Sequence, residues 1–157
     1  MKWLSQLLLV GGTLLVGCGD EENPHEGIES WACETMADAD AQATAAAAPG
    51  DTAPTVMLGR AYDVALVALA SQNGGDLSFE VSAGRHLVFV SDDIPVALVD
   101  GAGDVLPIDN TENPFEHCEQ VAAEYRYVLE AGEATVRFGP TPAESVRLLL
   151  AEDAASY

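Results

Sequence analysis

Three cysteines, three histidines and 26 acidic residues are the side chains of this sequence with the most chemistry to offer. Cys18, Cys33 and Cys118 can be acylated, cross-linked or bound to metal, and an odd number leaves one thiol outside any pair. Neutral imidazole together with carboxylates suits zinc, copper or nickel. His117 directly precedes Cys118 in the segment DNTENPFEHCEQ, which also carries Glu112, Glu116 and Glu119. Glu116 and His117, with His86 and His25, are therefore the candidate ligands for a divalent metal. No two histidines share a local ligand spacing, however, and the EF-hand pattern D-x-D-x-D-G is missing. Asp92-Asp93 and the pair Asp100 and Asp104 resemble calcium-friendly turns, but such residues more often simply form polar hairpin ends. There is no G-x-S-x-G elbow, no H-E-x-x-H, no Walker or Rossmann glycine pattern and no C-x-x-C. The expectation is a protein that is not an enzyme.

Position in the chain separates the cysteines. Lys2 precedes an apolar run from Leu4 to Val16, then a small residue, Cys18, and an abrupt acidic turn through Asp20, Glu21 and Glu22. This is the layout of a secretory signal peptide. A transmembrane helix needs about 20 apolar residues, and this run is shorter and broken by Ser5, Gln6, Gly11, Gly12 and Thr13. Leu15-Val16-Gly17-Cys18 resembles the lipobox of bacterial lipoproteins. The resemblance implies cleavage before Cys18, acylation of its sulfur and new amino group with fatty acid such as palmitate, and attachment to a membrane by that lipid. Gly19 in place of Asp after the cysteine implies, in that family, the outer membrane, on its periplasmic or surface face. With Cys18 so occupied, Cys33 and Cys118 are left in an oxidising compartment. A disulfide between them is the favoured expectation, two separate buried thiols the alternative.

Charge narrows the partners. Without residues 1–17 the chain keeps five arginines and no lysine against 26 acids, a net of −21. Such a surface repels nucleic acid and anionic headgroups. It admits divalent cations or a basic envelope protein, and it also serves plain solubility.

The elements that must position these groups read as one domain. Residues 18–29 are acidic, contain Pro24 and lack apolar periodicity, as expected of a flexible tether. Residues 30–157 form the folded body. Ser30 can cap a short helix, while the alanine-rich stretch at 39–48 is open between helix and strand. From Thr55 onward the period is two. Tyr62, Val64 and Leu66, then Leu77 and Phe79, Leu87 and Phe89, Val96 and Leu98, Tyr127 and Leu129, Val136 and Phe138, and Val146 and Leu148 form the expected inward set. Asn73-Gly74-Gly75, Ser82-Ala83-Gly84, Asp100 to Gly103, Ala131-Gly132 and Gly139 to Pro142 read as turns. His86 to Val90 is apolar on both faces, as a central strand covered on both sides would be. Ala61 to Ala70 is the one stretch with a competing helical reading. The fold class is all-β, an antiparallel β-sandwich or jelly roll with a short N-terminal helix or alanine-rich segment.

Leu77 to Val81, Val96 to Leu106 and Leu129 to Gly139 resemble the strand and hairpin segments of pre-peptidase C-terminal-type modules of bacterial exported proteins. That resemblance implies an accessory or binding β-sandwich, in some cases with a calcium site. The expected function is a lipid-anchored, non-catalytic binding or structural module of the cell envelope. The alternative is an extracytoplasmic lipoprotein that binds divalent metal.

Overall fold

Residues 24–38, 40–112 and 118–153 are described by the computed structural model. One helix precedes the strands: α1 (Pro24–Ala37). The strands are β1 (Gln42–Ala45), β2 (Thr55–Val56), β3 (Ala61–Ala65), β4 (Val67–Leu69), β5 (Gln72–Val81), β6 (Gly84–Val90), β7 (Val96–Val99), β8 (Asn110–Glu112), β9 (Ala123–Leu129), β10 (Gly132–Thr141) and β11 (Ser145–Glu152). They form two sheets, ordered β1-β3-β11-β6-β9-β8 and β2-β5-β10-β7, with β4 also on β5. Pairing is antiparallel except for β1 on β3 and β2 on β5, which are parallel. The all-β sandwich expected from the alternation is the fold observed. Ala61 to Leu69 forms strands β3 and β4 and not a helix, and the alanine-rich stretch contributes β1.

The main core lies between the sheets. Tyr62, Val64, Leu77, Phe79, Leu98, Tyr127, Val136, Phe138, Val146 and Leu148 are buried there, as their alternation requires, whereas Leu66 is only half-buried. Leu87 and Phe89 depart from the expected inward set. They point out of the sandwich, and Val88 and Val90 of the same strand fill the core instead. The reason is a third layer. Ile28, Ala32, Cys33 and Met36 of α1 pack over Leu87, Phe89, Val121, Leu149 and Ala151 on the outer face of the first sheet. The double-sided apolar character of β6 thus reflects one face against the second sheet and one against a helix. Period-two patterning cannot tell the two apart when both are apolar.

The helix begins at Pro24, inside the stretch read as tether, and not at Ser30. Proline suits the first turn because its missing N–H has no intrahelical acceptor there. The packing of Ile28 against the second core rewards the extra turn.

Three turn assignments also differ. Gly139 to Thr141, read as part of a turn, lies within β10, whose register on β5 shifts between Phe138 and Thr141. Asn73-Gly74-Gly75 lies within β5, and the hairpin from β4 turns at Ala70 and Ser71, with Ala70 at φ 56°. The glycines are there for close approach. A Cβ on Gly74 would stand 2.6 Å from the Phe138 carbonyl oxygen, and one on Gly75 would stand 2.7 Å from both Ala46 Cβ and the Ala47 carbonyl oxygen. Ala47 exchanges two main-chain hydrogen bonds with Asp76, at 3.0 and 2.8 Å. Between them β2, Ala47 and β4 cover the outer edge of β5 piecewise, which blunts a long strand edge. The segment Leu129 to Gly139 is not a hairpin: β9 belongs to the first sheet and β10 to the second. Both strands direct an apolar face into the same interlayer, so the chain crosses between layers at Glu130–Ala131.

Candidate functional site

Cys33 on α1 and Cys118, just ahead of β9, form a disulfide with their Cα atoms 5.7 Å apart. The pairing expected from the cysteine count is therefore present, and it staples the helix to the first sheet. Arg147 makes the second tie. Its guanidinium donates to both carboxylate oxygens of Asp63, at 2.7 and 3.0 Å, and to the Met36 and Asp38 carbonyls, at 2.8 and 3.1 Å. The Met36 carbonyl lies in the last turn of α1 and that of Asp38 just beyond its end. Neither has an intrahelical donor, so a cation placed there satisfies them and complements the helix dipole. The bond to Asp63 raises the Arg147 pKa, against the opposing effect of burial.

The expected metal ligands do not assemble among the described residues. Cys18, Glu116 and His117 lie outside them, and His25 lies on the first turn of α1. His86 is 2% exposed, on the face of β6 that carries Val88 and Val90. Its Nδ1 is 3.2 Å from the Gly84 carbonyl oxygen. Its Nε2 has no hydrogen-bond partner, and the Glu152 carboxylate is 3.9 Å away. Glu152 in turn accepts from the Ser82 hydroxyl at 2.7 Å. No group of three His, Cys, Asp or Glu side chains converges among the described residues. The Asp100 carboxylate is used locally: its Oδ1 accepts from the Ala102 and Asp104 amides at 2.9 Å each, which stabilises its own turn.

Asp76 is buried on the outer face of the second sheet, directly across from Arg137. The guanidinium donates two bonds to it, each 2.9 Å. That fork neutralises a carboxylate which burial would otherwise disfavour, and the bond to Asp76 raises the Arg137 pKa.

Two concavities among the described residues stand out as places for a ligand. One, about 590 Å³, lies between the Asp100–Ala102 turn, Leu106 and the corner from Val128 to Ala134. Asp100, Glu130 and Glu133 give it an acidic wall. The other, about 510 Å³, is an apolar groove between α1 and the β2–β3 turn, lined by Ile28, Trp31, Leu58, Gly59, Ala151 and Glu152. Sequence reasoning did not single out this groove. The available signal was Trp31, three residues after Ile28 yet beside the Ala32 and Met36 stripe and not within it.

No protein-family model matches the sequence, and a search of curated proteins returns no match. Among solved structures, the chain is similar to a periplasmic inhibitor of g-type lysozyme, PliG of Salmonella Typhimurium. Identity is 14% and the TM-score 0.35, with 63% of this chain and 99% of that one covered. So loose a superposition carries no functional assignment. The fold itself is a disulfide-stapled, three-layer β-sandwich that carries an acidic-walled and an apolar concavity.

Proposed function

We propose that this chain is a lipid-anchored lipoprotein of the cell envelope that acts as a non-catalytic binding or structural module. Cys18 carries the lipid, and the outer membrane, on its periplasmic or surface face, is its location. The observation that supports this most directly is the Cys33–Cys118 bridge. A structural disulfide belongs to an oxidising, extracytoplasmic compartment, and the bridge leaves Cys18 as the odd thiol at the end of the lipobox. The partner is an envelope protein with a basic surface, because a net charge of −21 attracts cations and repels polyanions. The 590 Å³ acidic-walled cleft is the surface best matched to it.

Metabolic labelling with radioactive palmitate tests the anchor. Label is expected on the native protein and absent from Cys18→Ala, which should leave the membrane fraction. A Cys18→Ala protein that still sediments with membranes would count against the reading.

A further inference from the structure

We infer that the apolar groove between α1 and the β2–β3 turn rests on the membrane that the Cys18 lipid enters, with the Trp31 indole at the level of the glycerol and headgroups. This rests on the anchored reading of Cys18 and adds a second, noncovalent contact to it.

Chain length places the groove. Six residue steps separate Cys18 from Pro24, where α1 begins. Fully extended they span about 20 Å at most, so the first turns of α1 are the part of the body tethered closest to the bilayer. Ile28 and Trp31 stand on those turns. The β2–β3 turn comes to the same end of the molecule, because the Gly59 amide bonds to the Leu150 carbonyl at 2.7 Å near the close of β11.

The chemistry of the surface matches the location. Trp31 is 37% exposed, and Met57, next to the groove residue Leu58, is 60% exposed. Leaving such side chains in water forgoes the gain of burying them. An indole combines an apolar body with an N–H that stays hydrated at an interface, which is why tryptophan concentrates at the headgroup level of bilayers. Charge selects the lipid. Glu152 stands on the groove rim and the whole chain is strongly acidic, so the occupant is a zwitterionic surface and not an anionic one.

The chain holds two tryptophans, Trp3 and Trp31. Cleavage before Cys18 leaves Trp31 alone, so its emission reports the groove. Native lipidated protein is reconstituted into phosphatidylcholine vesicles, with or without lipid brominated near the glycerol backbone. Trp31 emission should shift to the blue and be quenched at least about twofold by the brominated lipid. Part-replacement by phosphatidylglycerol should weaken the quenching, as should Met57→Asp, an exposed position outside the core. Flotation of the vesicles reads the anchor separately. Protein that carries no lipid and does not float would defeat the anchor and this inference together. Protein that floats while Trp31 stays unquenched would leave the anchor standing, overturn the membrane contact and give the groove to a protein ligand.

Discussion

Raising the pH should destabilise this protein through one phenol. Tyr127 is fully buried in the main core, opposite His86 across β6 and β9. Its hydroxyl makes no hydrogen bond of good geometry. Burial first, then the neighbouring Tyr125, push its pKa from 10.0 up to about 12, and the nearby Leu98 main chain offsets part of the rise. The fold therefore accepts only the neutral phenol. In the unfolded chain the same group ionises near pH 10. Its contribution is intact below that pH, is lost as pH climbs, and is gone once the folded group ionises as well, near pH 12. Two pH units of displacement correspond to a loss on the order of 3 kcal/mol. Urea unfolding of the wild type and of Tyr127→Phe, compared at about pH 9 and about pH 12, measures it, since the variant lacks the ionising group. The wild type should fall further than the variant by roughly that amount. Near neutral pH the variant should differ by less than about 1 kcal/mol, because the hydroxyl it removes is desolvated without a partner. Parallel losses in the two proteins, or phenolate absorbance from every tyrosine by about pH 10, would refute the reasoning.

Other expectations follow from the second core and from close packing. Replacing Cys33 and Cys118 together by serine opens a loop with a sequence separation of 85. The chain-entropy model puts the loss at about 4.5 kcal/mol, read as a lower urea midpoint than that of the oxidised wild type. Met36→Ala, at a fully buried site under α1, should cost about 2–5 kcal/mol in the same assay. Gly74→Ala, facing the Phe138 carbonyl oxygen at 2.6 Å, should lower stability by about 1–3 kcal/mol. Gly27→Ala, in α1 with nothing within 4 Å of the added methyl, should raise it by about 0.5–1 kcal/mol.

The strands were legible wherever one face was apolar and the other polar. β9 and β10 show it: Tyr127 and Leu129, then Val136 and Phe138, are buried as their spacing demands. β6 was legible as a doubly covered strand, but not which of its faces met the helix. Gly74 and Gly75 carried the composition of a turn and do the work of a tight strand crossing, because glycine serves both needs. The apolar groove was not legible. Ile28 and Trp31 meet Leu58 and Ala151 from distant parts of the chain, and no local pattern announces such a meeting.

The sequence by itself determined the strong negative charge and pointed to the all-β class, and it made a Cys33–Cys118 pair the favoured expectation, which the structure then showed. Charge depends on composition, the class on neighbours two residues apart, and the expected pair on a cysteine count of three with Cys18 set aside. Only the tertiary structure decided that α1 forms a third layer, that Leu87 and Phe89 lie beneath it, that Arg147 closes its end and that no three metal-ligating side chains converge among the described residues. Those outcomes depend on which surfaces meet across long stretches of chain. The competition between two apolar faces for two different covers is resolved by packing, not by periodicity.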